Sequence, residues 1–218
     1  MKRASANNAH PIGQAGRVFA RLLPQTLGIL KILALSGSLR TVSINSALLR
    51  ASARLAPSEI SVSVFTSIGE LPLFNPDCEV CPPTIVTSFR SEVAEADALL
   101  IASPEYAHGV TGTIKNALDW LVGFEAFSCK AVAVFNASPR AHHADDALRE
   151  TLKTMSAVIV ESASISIPLL GATLDEDGMV STTAVAAPIR EALMALYAAV
   201  VQQRALPNTL LQNTVRSK

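Results

Sequence analysis

Apolar and polar positions alternate along this chain in blocks that indicate strands and helices in turn. From about Leu27 onward, short apolar runs of strand length are separated by stretches in which apolar residues recur at helical spacing. The predicted strands cover residues 31–36, 60–65, 98–102, 131–135 and 158–167. The predicted helices cover residues 44–55, 84–96, 114–121, 145–156 and about 183–204. Because the strands are almost continuously apolar, we expect both faces of the sheet to be covered.

This alternation predicts the α/β class, with a doubly wound, five-stranded parallel sheet and helices on both faces. Sheets of this kind bind ligands at the carboxyl ends of their strands, near the point where the strand order reverses. The loops after the first, third and fourth strands therefore form the candidate binding site.

The composition fits one folded domain with an extension at each end. The chain has 218 residues, of which 50% are hydrophobic and 17% are charged, and its mean hydropathy is +0.35. Such a chain can bury a large core and is not disordered throughout. We expect residues 1–26 to be a disordered N-terminal extension, residues 27–205 to form the domain, and residues 206–218 to be a C-terminal tail. The extension carries Arg, Ser and Ala but no acidic residue, and so loosely resembles an organelle transit peptide.

Charge is balanced overall but not along the chain. Lys and Arg total 18, as do Asp and Glu, yet eight basic residues precede the first acidic residue, Glu59. Because the basic character is confined to the first quarter, we do not expect a nucleic-acid binder. The most apolar segment, residues 184–201, is interrupted by Pro188 and Arg190, so we expect no membrane span.

The three cysteines, Cys78, Cys81 and Cys129, are too few and odd in number for a disulfide framework. They favour a reducing compartment, and we expect the protein to be cytoplasmic. Cys78 and Cys81 form a C-x-x-C, but no further ligands follow at zinc spacing and the motif lies in a Pro-rich stretch. We interpret both residues as loop thiols without a chemical role.

The loop after the first strand, residues 36–46, carries hydroxyl, guanidinium and amide donors immediately before a helix. It contains neither a G-x-G-x-x-G fingerprint nor a Gly-Lys-Ser/Thr phosphate loop. Serine hydroxyls, Arg40 and the N–H groups of a helix N-terminus together suit a phosphate dianion. An ordinary polar turn capped by Ser43 is the alternative interpretation. Arg50 and Arg54 lie on the polar face of the helix that follows, and we expect them to face solvent.

The loop after the third strand, residues 103–112, combines small residues with aromatic ones. Two glycines and a proline allow the backbone to approach a flat ligand closely, and Tyr106 and His108 can lie against an aromatic system. A surface loop with a locally packed tyrosine is the alternative. Two such loops, both at strand carboxyl ends, are more specific than either one alone.

Together these motifs resemble the NADPH-dependent FMN reductase family of flavodoxin-like fold, which includes quinone, chromate and azo-dye reductases. The residues that carry the resemblance are Gly37-Ser38-Leu39-Arg40 with Ser43 and Asn45, Leu71-Pro72-Leu73-Phe74, Ser103-Pro104-Glu105-Tyr106, and Gly112 with Lys115-Asn116-Ala117-Leu118-Asp119-Trp120. The resemblance covers roughly residues 30–197 and implies the flavodoxin-like strand order 2-1-3-4-5.

The resemblance implies an FMN-dependent NAD(P)H oxidoreductase with ping-pong kinetics, in which the cofactor carries the chemistry and no side chain is catalytic. The electron donor would be NADPH or NADH, and the acceptor a small molecule such as a quinone, azo dye, chromate or free flavin. The implied cofactor-binding residues are Ser38, Arg40, Ser43, Asn45, Ser46, Pro104, Glu105, Tyr106, Ala107, His108, Gly109 and Ser138. A homodimer or homotetramer is implied as well, with the helix that begins near Lys115 at the interface.

The chain departs from the family pattern in two loops. Ala107 replaces the Asn that commonly follows Pro-Glu-Tyr, and residues 138–144 lack the glycines of the third flavin loop. Substrate preference and the choice between NADPH and NADH stay open. The alternative function is a non-catalytic FMN-binding redox sensor or electron-transfer flavoprotein. His108, His142 and His143 are candidate metal ligands, but consecutive histidines rarely bind one ion together, and we expect no metal site.

Overall fold

A parallel sheet forms the centre of the computed structural model, which describes residues 28–205. The strands are β1 (Leu30–Ser36), β2 (Ile60–Val64), β3 (Ala98–Ala102), β4 (Ala131–Asn136), β5 (Val158–Ile159) and β6 (Ile165–Ser166). They run in the order β2-β1-β3-β4-β5, with β6 also pairing with β4, and every pairing is parallel. The predicted doubly wound sheet and its strand order are confirmed. The predicted N-terminal extension and C-terminal tail lie outside the described residues.

In residues 28–205, α-helices cover both faces of the sheet. They are α1 (Ile44–Leu55), α2 (Thr84–Glu95), α3 (Gly112–Asp119), α4 (His142–Thr154), α5 (Glu176–Ser181) and α6 (Thr183–Ala205). One hydrophobic core contains side chains of α1, α5 and α6, and the other contains side chains of α2, α3 and α4. Successive residues of β1 enter opposite cores, since Ile32 belongs to the first and Leu33 to the second, as a strand covered on both faces requires.

The carboxyl ends of the three central strands finish level with one another. Ser36 of β1 pairs with Ala102 of β3, and Ala102 in turn is level with Phe135 of β4. The Gly37 N–H also donates to the Ala102 carbonyl at 2.8 Å, which carries the pairing one residue past β1. The three following loops therefore leave the sheet at one edge, where a ligand site is expected.

The predicted fifth strand, residues 158–167, is wrong as a continuous element. The structure has two short strands there, separated by a 3₁₀ turn at Glu161–Ala163. Ser164 explains the interruption, because its hydroxyl donates to the Val160 carbonyl at 3.0 Å and accepts the Val134 N–H of β4 at 3.1 Å. A side chain thus makes the hydrogen bond that a strand backbone would otherwise supply.

Two helices differ from the prediction. α4 begins at His142, three residues before the predicted start at residue 145. α5 is absent from the predicted elements because six residues are too few for an apolar periodicity to register. Its start is marked by Asp175, whose carboxylate accepts the Gly178 N–H at 2.8 Å as an N-cap.

The apolar helix α6 is long and hydrophobic enough, by length and composition, to cross a membrane. One face of α6 packs into the core that it shares with α1 and α5, because Ile189, Leu193, Leu196 and Val200 are at most 4% exposed. Pro188 lies in its second turn, close enough to the start that the helix continues to Ala205.

Candidate active site

The loop after β1, residues 36–46 and here called the serine turn, buries several of its polar side chains, whereas Arg40 and Thr41 are exposed. The buried polar residues at its centre are Ser38, Ser43 and Asn45, which are 7%, 6% and 5% exposed. Ser43 caps α1, since its hydroxyl accepts the Ser46 N–H at 3.2 Å, and the Ser46 hydroxyl pairs with that of Ser36 at 2.8 Å. The turn thus gathers hydroxyl groups at the N-terminus of a 12-residue helix, where the helix dipole favours an anion.

One buried polar atom of the serine turn has no partner. Asn45 Oδ1 makes no hydrogen bond to any of the residues that the structure describes. Leaving a buried acceptor unpaired is unfavourable by about 1–3 kcal/mol, so such an atom marks a place where a ligand or water completes the bonding.

The loop after β3, residues 103–112 and here called the tyrosine loop, contains a strained turn. Tyr106 and Gly109 pair through backbone hydrogen bonds of 3.2 and 3.0 Å, which close a two-residue hairpin. The central residues, Ala107 and His108, have φ angles of 50° and 58°. Left-handed backbone at a residue other than glycine costs roughly 1–2 kcal/mol, and strain of this kind concentrates at functional sites.

The serine turn and the tyrosine loop touch at Gly37. A β-carbon on Gly37 would lie 2.1 Å from Ser103 Oγ, 2.6 Å from Ser103 Cβ and 2.9 Å from Thr111 Oγ1. The Ser103 and Thr111 hydroxyls also pair with each other at 3.3 Å, and Thr111 caps α3 by accepting the Ile114 N–H. Close approach of the two loops therefore requires glycine at this position.

The loop after β4, residues 136–144 and here called the β4 loop, is held in shape by a side-chain amide. Asn136 Oδ1 accepts the Ser138 N–H at 2.9 Å, and Asn136 Nδ2 donates to the Ala141 carbonyl at 3.2 Å. The Ala141 N–H donates in turn to the Ser138 carbonyl at 2.9 Å. A compact turn thus forms at the third loop without glycine.

Glu105 fastens the tyrosine loop to the β4 loop. One carboxylate oxygen accepts the Ala144 N–H at 2.9 Å, and the other lies 3.1 Å from His108 Nδ1. The hydrogen bond from Ala144, with contributions from His108 and His143, holds the pKa of Glu105 below its usual range. The carboxylate is therefore ionised at neutral pH and joins two loops that are 39 residues apart in the chain.

Three imidazole rings contact one another beside this carboxylate, one pair edge-on and one pair tilted. His143 lies between His108 and His142, with ring centroids 4.5 and 4.0 Å away. Within residues 28–205, no group of three or more His, Cys, Asp or Glu side chains has an arrangement that could hold a metal ion.

The three loops line a common cavity of about 1010 Å³ at the carboxyl edge of the sheet. The predicted cofactor-binding residues that line it are Ser38, Arg40, Ser43, Asn45, Pro104, Glu105, Tyr106 and Ser138. The predicted residues outside its lining are Ser46, Ala107, His108 and Gly109. The Ser46 hydroxyl is directed to Ser36, and the other three form the hairpin turn. Two thirds of the predicted cofactor-binding residues thus line one cavity. Their role in binding a cofactor stays a prediction.

Sequence reasoning missed one wall of the cavity. Arg50 and Arg54 are about half exposed, as predicted, but they also line the cavity and form ion pairs with α5: Arg50 lies 2.8 Å from Glu176 and Arg54 lies 2.5 Å from Asp177. The segment between β6 and α5 contributes Leu170, Thr173 and Leu174. Two sequence features pointed to this contact: the arginine pair at i, i+4 and the Asp-Glu-Asp run. Local patterns cannot show that the two features meet, because they are more than 120 residues apart.

The family described as NADPH-dependent FMN reductase matches residues 30–169 of this chain. A 2-hydroxy-1,4-benzoquinone reductase of a Burkholderia species is 46% identical over 91 residues, which are 42% of this chain and 49% of the relative. A quinone reductase of Pseudomonas putida strain KT2440 is 41% identical over 123 residues, which are 53% of this chain and 66% of the relative. The chain therefore spans about half to two thirds of the length of these relatives.

A solved structure gives the same picture of the fold. The flavoenzyme NAD(P)H:(acceptor) oxidoreductase FerB from Paracoccus denitrificans is 25% identical to this chain, and the two superpose with a TM-score of 0.70. The match covers 80% of this chain and 98% of the FerB chain. The likeness therefore extends well beyond the three loops.

Proposed function

The chain belongs to the NADPH-dependent FMN reductase family, and we propose that it is an FMN-dependent oxidoreductase that uses NADPH or NADH to reduce a small acceptor. The observation that carries the proposal is the cavity in which the serine turn, the tyrosine loop and the β4 loop meet. Relatives named quinone reductases support quinones as the acceptor class. None of the relatives reported above is named as an electron carrier or a sensor, so no observation favours a non-catalytic role.

The serine turn fits the phosphate of FMN. The hydroxyls of Ser38 and Ser43 and the N-terminal N–H groups of α1 supply donors on several sides. Arg40 lines the same cavity and has no ion-pair partner in residues 28–205, so its guanidinium is available to a phosphate. The unpartnered Asn45 Oδ1 is an acceptor beside these donors, and it suits a ribityl hydroxyl group of the same cofactor.

The tyrosine and β4 loops fit the isoalloxazine ring. Pro104, Tyr106 and Ala137 give this part of the cavity apolar surfaces, and the adjoining backbone supplies polar groups. When bound there, FMN supplies two-electron redox chemistry that no protein side chain provides. The protein's contribution is to bind, orient and shield the ring, and Glu105 holds the two loops at a fixed separation for this purpose.

Quinone reduction balances without a catalytic acid or base. NAD(P)H, one proton and the quinone give NAD(P)⁺ and the hydroquinone, so two electrons leave the donor and solvent supplies the proton. Because donor and acceptor would use the same cavity in turn, we expect ping-pong kinetics, visible as parallel lines in double-reciprocal plots.

The test is a spectrum of the purified protein followed by anaerobic addition of NADPH. We expect a yellow protein, or one that becomes yellow with added FMN, whose absorbance bleaches with NADPH and returns with a quinone. A colourless protein that fails to take up FMN would contradict the proposal. FMN uptake without bleaching by NADPH or NADH would leave only the non-catalytic alternative.

We propose that the protein works in the cytoplasm as a homodimer or homotetramer, without nucleic-acid or membrane partners. Leu73 and Val122 flank α3 and are 85% and 50% exposed, which supports a subunit interface near this helix. Light scattering coupled to size exclusion tests the oligomeric state, and a monomer at micromolar concentration would contradict it.

A further inference from the structure

A second cleft adjoins the cavity at the β4 loop. This side cleft has a volume of about 480 Å³ and is lined by Ser138, Pro139, Arg140, Pro168, Leu170 and Gly171. Ser138, Arg140 and Leu170 line the main cavity as well. The two spaces are therefore neighbours that share a wall.

The two walls of the side cleft are tied together at their base. The Ile167 N–H donates to the Asn136 carbonyl at 2.8 Å, and the Leu169 N–H donates to the Ala137 carbonyl at 3.1 Å. The β4 loop above this base is held by the Asn136 amide, as described. A site whose walls are fixed before binding loses little conformational freedom when a ligand arrives.

The side cleft is apolar apart from one cation. Two prolines and Leu170, which is 65% exposed, provide apolar surface, and Gly171 turns the chain beside Leu170 with a φ of 85°. No Asp or Glu is among the lining residues. A flat aromatic ring suits walls of this kind.

Arg140 is the cation, and its charge is not neutralised by a neighbour. No carboxylate within the described range 28–205 forms an ion pair with Arg140, whereas Arg50 and Arg54 of the main cavity are paired with Glu176 and Asp177. A guanidinium is planar and can donate two parallel hydrogen bonds to a carboxylate or sulfonate. Charge and shape together favour an anionic aromatic ligand.

We propose that the side cleft binds the anionic substituent, a sulfonate or carboxylate, of an aromatic acceptor whose reducible ring lies in the main cavity. The proposal rests on the proposed function and assigns Arg140 as the residue that selects among acceptors. Arg140 acts on binding alone, so acceptors that lack the anionic group are reduced without its help.

The binding test uses a redox-inactive probe, naphthalene-2-sulfonate, titrated calorimetrically into the FMN-loaded protein. We expect Arg140→Gln to weaken binding roughly tenfold or more, because a charge-assisted contact is lost. Arg190→Gln, which removes one positive charge from an exposed position on α6, should leave the affinity within about twofold. Because the probe is not reduced, this result is independent of whether the protein oxidises NADPH.

The turnover test compares 1,4-naphthoquinone-2-sulfonate with 1,4-naphthoquinone. Arg140→Gln should raise KM for the sulfonate by a similar factor and raise KM for the neutral quinone clearly less, so the ratio of the two KM values should change by roughly tenfold. Equal KM changes for the two quinones, no change for the sulfonate, or equal binding of the probe to both variants would overturn the proposal. Loss of NADPH oxidation in the parent protein would overturn the proposed function instead.

Discussion

The serine turn and the tyrosine loop leave neighbouring strands of one sheet, yet they are built in opposite ways. In the serine turn Ser38, Ser43 and Asn45 are buried, and no residue of 36–46, glycine included, has a positive φ. In the tyrosine loop the hairpin turn is left-handed at two non-glycine residues, and Tyr106 and His108 are exposed. The first loop has an unstrained backbone and buries part of its polar groups, and the second has a strained backbone and exposed side chains.

This difference indicates that the two loops have different roles in one site. A relaxed turn with converging donors is suited to hold a phosphate in one position. A strained turn maintained by surrounding contacts is suited to present a ring face and exposed side chains to exchanging substrates. Affinity for the cofactor should therefore depend mainly on the serine turn, and acceptor selection mainly on the tyrosine and β4 loops.

The largest effect is expected where the two loops touch. Gly37→Ala places a β-carbon 2.6 Å from Ser103 Cβ, a backbone-anchored atom that cannot move aside. We expect the free energy of unfolding to fall by about 2–3 kcal/mol, and FMN affinity to fall with it. Urea denaturation followed by circular dichroism measures the first quantity, and fluorescence titration measures the second.

Gly112→Ala is the matched control for this substitution. A β-carbon there meets no atom within 4 Å, and Gly112 is the first residue of α3. Because alanine is the better helix former, stability should stay the same or rise by up to about 1 kcal/mol. Equal losses in the two variants would show that the contact between the loops is not what constrains Gly37.

The next effect isolates the phosphate end of the site. Arg40→Ala should raise the Kd for FMN by roughly 10- to 100-fold, because a charge-assisted contact with the phosphate is lost. Riboflavin, which lacks the phosphate, should bind the variant and the parent protein equally. Unchanged FMN affinity, or parallel losses for FMN and riboflavin, would place the phosphate elsewhere.

The strands and the Ser43 cap of α1 could be predicted because both depend on local patterns, whereas the strand order was implied by the family resemblance. The third strand was predicted at residues 98–102, its observed bounds, since a continuous apolar run followed by Ser-Pro leaves little choice. The pairing of Arg54 with Asp177 could not be predicted in this way, because no periodicity links positions 123 residues apart. Likewise, nothing in the residue type of Ala107 indicates left-handed backbone, which favours Asn or Gly.

Glu105 joins the tyrosine loop to the β4 loop, and its ionisation should affect stability. The Ala144 N–H and His108 keep the pKa of Glu105 below its usual range, so ionised Glu105 stabilises the fold above its unfolded pKa. That contribution is lost as pH falls through the lower, folded pKa. Glu105→Gln should therefore be less stable than the parent protein at neutral pH, and the gap should narrow only as pH falls below about 4.3, the ordinary pKa of a glutamate.

Glu92 of α2 provides a control with the opposite sign. Burial, with the nearby Glu95, raises the pKa of Glu92, so its ionisation destabilises the fold at neutral pH. Glu92→Gln should be slightly more stable than the parent protein at neutral pH, and this gain should disappear on acidification. Urea denaturation midpoints at pH 7 and at a pH below about 4 measure both differences. If the stability difference from the parent protein changes in the same direction for both variants, the Glu105 contacts do not explain its pH dependence.

The smallest effect tests whether the left-handed backbone at Ala107 lowers the stability of the protein. Ala107→Gly removes the left-handed penalty at a φ of 50°, and we expect the free energy of unfolding to rise by up to about 1 kcal/mol. The same exchange at Ala53, inside α1, should lower it by about 1 kcal/mol, because glycine is the poorer helix residue. If the strain serves acceptor binding, Ala107→Gly should also raise the acceptor KM while FMN affinity, which depends on the serine turn, stays constant. A gain in stability with no change in acceptor KM would mean that the strained turn is tolerated by the site and not used by it.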